Sequence, residues 1–232
     1  MLCLATLSLL TSLASCPAGT ELAEGQHRRL LIDGAPVHLW CRTGSSPRAV
    51  VLYVHGYYDT VDTAFSGHRL AEQFAASGVD ALFVAVEAPS GPAQPVFFPS
   101  LDALLVRLGA VLGGALPEAV LLVGHSGGNR TLKAWLDSPR ANEVVLLDGF
   151  YGDARPWRRW LEARKDARLR LVGQHTREKA DLWRLGLPAR LRARTTQAPA
   201  RCSHMEVVTK GEWLPRAIRE SSLASAELSA AR

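Results

Sequence analysis

The sequence is short of the residue patterns that carry metals, nucleotides and cofactors. It has only four cysteines in 232 residues. No paired His, Cys, Asp or Glu spacing suggests a metal site. Neither a glycine-rich phosphate loop nor a dinucleotide fingerprint is present, so no cofactor is expected. There is no internal repeat, and the apolar run at the start, Met1 to Ser15, is too short to span a bilayer. Negative charge is the scarcer sign: 22 acidic residues stand against 27 basic ones, a net charge of +5. Much of the surplus is arginine between Arg155 and Arg201, interleaved with Trp157, Trp160, Leu161, Leu169, Leu171 and Val172. That reads as the solvated faces of amphipathic elements and not as a nucleic-acid surface. A basic face towards an anionic membrane or polymer stays compatible with it. What remains is globular: 47% hydrophobic, 21% charged, and long enough for one domain with a substantial core.

Three segments are expected: a leader over 1–16, a polar tether over 17–26 and a single domain over 27–232. The leader has the length and small-residue ending of a signal sequence, although no Lys or Arg precedes its apolar run. Leu13-Ala-Ser-Cys16 resembles a bacterial lipobox. That resemblance implies lipidation of Cys16, membrane anchoring through it, and an exported, cell-envelope or secreted protein. Cys41 and Cys202 are expected to stay unpaired. They fall at opposite edges of the sheet inferred below, several strand spacings of about 4.8 Å apart, whereas disulfide Cα atoms lie within roughly 7 Å.

Arg28–Ile32 and Pro36–Cys41 flank Asp33-Gly34, a hairpin signal. Buried apolar strands are predicted at Ala49–Val54, Asp80–Val86, Val120–Val123, Glu143–Leu147 and Arg168–Val172, with an edge strand at Arg190–Thr196. Helical spacing covers 63–77, 101–112, 131–136, 156–164, 177–185 and 213–224. A hairpin followed by alternating strands and helices predicts an α/β fold, a mostly parallel sheet of about eight strands covered on both faces.

The strand Val120–Val123 runs into Gly124-His-Ser-Gly-Gly128 and then a helix. Strand, Gly-x-Ser-x-Gly turn and helix are the context in which such a serine is a nucleophile. Only small neighbours tolerate so close an approach of strand and helix. A serine that merely caps the helix is the alternative. Ligands gather at the carboxyl ends of parallel strands, where His55, Ser126 and Asp148 all fall.

With His55-Gly56 after the third predicted strand, Gly-x-Ser-x-Gly after the fifth and His204 after the last, residues 28–224 resemble the α/β-hydrolase superfamily. A small exported bacterial member without a cap domain is implied. The resemblance implies a hydrolase of esters or related acyl compounds that works through an acyl-enzyme, without a cofactor. Ser126 would be the nucleophile and His204 its base; His125 and His175 are competitors. The acid is open among Asp148, Glu178, Asp153 and Asp181. Asp148, fixed at a strand end, is preferred on geometry. The oxyanion donors would be the amides of Gly127 and Tyr57. His55, Gly56, Tyr58 and His125 would line the pocket, and Pro89–Pro99 with Phe97 and Phe98 could form an apolar rim. Arg130 and Arg177 are candidates for binding a substrate carboxylate. Amidase, peptidase or acyltransferase chemistry on an envelope substrate, or a non-catalytic lipoprotein on the same scaffold, are the alternatives.

Overall fold

The structure, a computed structural model, describes residues 15–224. Three strands come first: β1 (Thr20–Leu22), β2 (Gly25–Ile32) and β3 (Ala35–Arg42), each antiparallel to the next. Asp33 and Gly34, with φ of 54° and 80°, make the two-residue turn between β2 and β3, as a tight hairpin requires. Residues 17–26 are therefore not a tether. β1 adds a strand to the sheet, paired with β2 from Thr20–His27 to Leu22–Gly25. Its three residues are exposed, so no alternation betrays it in the sequence.

Six further strands are β4 (Ala49–Val54), β5 (Leu82–Val86), β6 (Ala119–His125), β7 (Glu143–Leu147), β8 (Arg168–Val172) and β9 (Thr195–Ala198). They pair parallel to one another, and β3 joins β5 antiparallel. The order is β1-β2-β3-β5-β4-β6-β7-β8-β9, nine strands in place of about eight. Alternate residues of each parallel strand feed two apolar layers. Val50, Leu52 and Val54 face one, while Val51 and Tyr53 face the other.

The first layer is covered by α3 (Leu101–Leu112), α4 (Asn129–Trp135), α5 (Arg155–Ala163) and α6 (Arg177–Leu185). The second is covered by α1 (Val61–Gly67), α2 (Leu70–Ser77) and, beyond β9, α8 (Glu206–Thr209) and α9 (Trp213–Arg219). The helix expected over 63–77 is thus two, broken at Arg69 with a φ of 52°. The break lets the His68 ring turn inward to the Tyr53 hydroxyl at 3.2 Å and to Asp59 at 3.3 Å. The edge strand expected at 190–196 starts later. Pro188 opens a short helix, α7 (Ala189–Arg192), whose Leu191 is buried, and β9 begins only at Thr195. Four residues of charged and apolar alternation fit a single helical turn as well as a strand.

Two expectations about cysteine are overturned. Cys16 lies beside β3, its amide donating to the Ser45 carbonyl at 2.9 Å, and forms a disulfide with Cys41, Cα to Cα 5.8 Å. A sulfur held in a disulfide has no valence left for a thioether-linked lipid, so lipidation of Cys16 is incompatible with this bond. Among the described residues Cys202 is the free cysteine. The edge-to-edge argument therefore held for Cys41 with Cys202 but overlooked Cys16. The rest of the expected leader, residues 1–14, lies outside the described residues. No helix among those described is long and apolar enough to cross a membrane.

Candidate active site

The end of β6 and the start of α4 are joined by a single 3-10 turn, Ser126–Gly128. Ser126 sits at its apex with a φ of 49°. A non-glycine residue adopts that left-handed conformation only where its surroundings enforce it. The turn is tight: a Cβ on Gly128 would lie 2.7 Å from the carbonyl oxygens of Val54 and His55. Chain and strand approach so closely there that only glycine fits.

Asp148 directly follows β7, the strand next to the serine's, and is 1% exposed. Its backbone is also left-handed, φ 47°, and its amide donates to the Val172 carbonyl at 2.6 Å. That bond aims the side chain across the ends of β7 and β8. The Oδ1 atom accepts from the Thr176 amide at 2.9 Å and the Thr176 hydroxyl at 3.1 Å. A Cβ at Gly173, whose φ is 152°, would collide with this carboxylate. The segment after β8 is therefore built around Asp148 and does not supply an acid of its own. Burial alone would raise the Asp148 pKa, but hydrogen bonds from His204 and Thr176 outweigh it and hold the group below the usual carboxylate range. The other candidates point elsewhere: Glu178 is exposed, Asp153 pairs with Arg155 at 2.8 Å and Asp181 with Arg177 at 3.6 Å.

His204, in the loop between β9 and α8, bridges the two. Its Nδ1 lies 3.0 Å from Asp148 Oδ2 and its Nε2 lies 2.8 Å from Ser126 Oγ. With the Nδ1 proton donated to the carboxylate, Nε2 is left as an acceptor for the serine proton. The ring is steadied on two sides, by His125 at 4.8 Å and His175 at 5.5 Å between centroids. His125 is no rival base. It is buried, and its Nε2–H donates to the His204 carbonyl at 3.1 Å. Burial first, then the neighbouring His204, push its pKa down to about 3, so it stays neutral. Ligand atoms of Asp148, His175 and His204 come within 4.8 Å of one another, but the Asp148–His204 pair already spends its facing atoms on a mutual hydrogen bond.

A cleft of about 430 Å³ opens on Ser126, lined by Tyr57, Gly127, Asn129, Arg130, Lys133, Tyr151 and Gly152. None of the four residues expected to line the pocket does so, whereas Tyr57 and Gly127, expected as oxyanion donors, do, as does Arg130. His55 is wholly buried beneath, its Nδ1–H donating to the Gly56 carbonyl at 2.8 Å and its Nε2 lying 3.0 Å from Glu87. Gly56 backs the serine's Cβ without reaching the cleft wall. Tyr58 is 92% exposed, turned outward by a φ of 66° and an amide bonded to the Ser90 carbonyl. His125 lies behind the base, and Phe98 is a core residue and not a rim. Asn129 and Lys133 were not foreseen, and Tyr151 and Gly152 follow Asp148 in a loop without period. Helical spacing held the missing signal: 129, 130 and 133 stand three, four and seven residues past Ser126, on one face of α4.

No family model matches the sequence, and no curated protein matches it. Solved structures do. The S-formylglutathione hydrolase of Staphylococcus aureus is similar at a TM-score of 0.60 and 12% identity, over 88% of this chain and 97% of that one. A CIB-like hydrolase of Thermoplasma acidophilum gives 0.58 and 14%, over 87% and 97%. A thermostable carboxylesterase cloned from a metagenomic library gives 0.57 and 13%, over 86% and 89%. At such identities the likeness speaks to the fold alone. With its parallel sheet, its serine turn and its two-faced helical cover, this chain has the α/β-hydrolase fold.

Proposed function

We propose that the protein is a serine hydrolase that cleaves carboxylic esters through an acyl-enzyme on Ser126. One observation carries the reading: the continuous hydrogen-bonded line from Ser126 Oγ through His204 to Asp148, at 2.8 Å and 3.0 Å. As Oγ attacks the acyl carbon, His204 Nε2 takes its proton and the anionic Asp148 stabilises the imidazolium. The imidazolium then returns the proton to the departing alkoxide. A water, deprotonated by the same nitrogen, releases the acid. The oxyanion would be held by the amides of Gly127 and Tyr57, and losing one such donor costs about 3 kcal/mol. The segment between β7 and β8 carries only the nine residues of α5 as regular structure, so among the described residues it forms no bulky cap over the cleft, which favours accessible, compact esters.

The site of action is proposed to be outside the reducing cytosol. The expected leader and the disulfide between Cys16 and Cys41 both support an exported protein, because such bonds persist in oxidising compartments. A fluorophosphonate probe tests the central claim. Folded wild type should be labelled covalently at Ser126, and Ser126→Ala should not; absence of labelling on folded wild type would sink the hydrolase reading.

A further inference from the structure

The cleft is mostly apolar, walled by the rings of Tyr57 and Tyr151, yet two cations reach it from α4, Arg130 and Lys133. They stand one turn apart on the face that begins at Ser126. Both are half-buried. Both donate to backbone carbonyls: Arg130 Nη1 to Pro92 at 2.7 Å, and Lys133 Nζ to Tyr151 at 3.0 Å. Among the described residues neither forms an ion pair with a carboxylate. Elsewhere on the surface cations commonly do, as with Arg158 and Glu162 or Arg216 and Glu220. Asp153, the acid beside this loop, is turned to Arg155. Lys133 also lies over the Trp157 ring, 5.8 Å from its centroid, so its place is fixed from below.

A cleft whose lining is otherwise uncharged keeps two positive groups half out of water without a carboxylate in ion-pair contact; Asp153 acts on Lys133 only at a distance and is bonded to Arg155 instead. Burial lowers the Lys133 pKa, a penalty that an anionic ligand would relieve. Tyr57 and Tyr151 supply apolar surface in the same cleft as those cations and the serine.

We propose that the substrate carries an anionic oxygen group, a carboxylate or its equivalent, that docks on Arg130 and Lys133 while the acyl carbon sits at Ser126. This rests on the hydrolase reading above and names its substrate class: esters with an apolar body and an acidic end. Arg130 and Lys133 follow Ser126 by four and seven residues, roughly 6–10 Å of helical rise, so the acidic end and the acyl carbon belong to one short substrate and not to distant parts of a polymer. Arginine supplies a planar fork and lysine a point charge, a pairing suited to an oxyanion that arrives from open solvent. The same field would speed the approach of anionic esters at low salt.

Two matched pairs of esters test this. For an anion on the acyl side, mono(4-nitrophenyl) adipate is compared with 4-nitrophenyl hexanoate. For an anion on the leaving-group side, 4-acetoxybenzoate is compared with 4-acetoxybenzamide. In at least one pair, wild type should favour the anionic ester by tenfold or more in kcat/KM at low ionic strength. Arg130→Gln combined with Lys133→Gln should bring that ratio to near one, and each single variant should fall between. Added salt should erode the wild-type preference. Ratios near one for both pairs in wild type, or a preference that survives the double variant, would overturn the proposal. Calorimetry on Ser126→Ala gives an answer that does not depend on turnover: 4-acetoxybenzoate should bind more tightly than 4-acetoxybenzamide, and equal binding is evidence against the anion site. Fluorophosphonate labelling separates the two failures. A protein that labels but shows flat ratios keeps the hydrolase reading and loses this one; a protein that does not label loses the hydrolase reading as well.

Discussion

The Asp148 carboxylate takes hydrogen bonds from the Thr176 amide and hydroxyl on one oxygen and from His204 on the other. Replacing it by asparagine keeps the shape but offers an amide where His204 needs an acceptor, so the imidazole is held in the wrong tautomer. Asp148→Asn should lower kcat on ester substrates by about three to four orders of magnitude, as loss of an orienting acid does in serine hydrolysis. Glu178→Gln, at an exposed position, should change it by less than twofold. Steady-state kinetics on the two variants checks this, and the reverse ranking would move the acid to the loop after β8. Ser126 was legible because its glycine neighbours announce the turn. His204 was legible only as a position in an order of elements. Lys133 and Tyr151 went unread because a cleft wall leaves no local signature: it arises where α4 and the loop after β7 happen to face each other.

Elements were readable where burial imposes a period. β4 and β5 are buried at every position, and α3 runs over the very residues its spacing predicts. β1, exposed at all three residues, was invisible, and with it the bond that ties Cys16 to Cys41. That bond closes a loop of 25 residues around the β1–β2–β3 edge. By the chain-entropy argument such a closure is worth about 3 kcal/mol. Cys41→Ser should therefore lower the unfolding free energy by about that amount in oxidising buffer, measured by urea denaturation. With a reducing agent present, wild type and variant should coincide; a gap that persists would mean that packing of Cys41, and not the crosslink, carries the effect.

On the scale of the whole molecule, histidine sets the response to acid. Burial, the largest cause in each case, lowers the pKa of His27, His38, His68 and His125, the last to about 3. The unfolded chain protonates these rings near pH 6.5, while the folded chain resists. Stability is therefore full above about pH 6.5 and is lost as pH falls towards the folded values. Calorimetric Tm should drop progressively between pH 7 and pH 4.5, before most carboxylates titrate. A Tm that stays level over this range would count against neutral burial of these rings. The net charge of +5 grows as pH falls, and its self-repulsion acts in the same direction.

The distance along the chain between the reacting groups has a consequence for how the protein is made. Ser126 is synthesised 78 residues before His204, and Asp148 comes 56 residues before it. While the chain emerges, the serine has neither its base nor the ninth strand that brings the base into reach. Under the proposed mechanism the nascent polypeptide is therefore without its base for most of its synthesis, and only α8 and α9 follow His204 among the described elements. If the proposed ester chemistry holds, the order of the residues alone would keep the half-made protein latent.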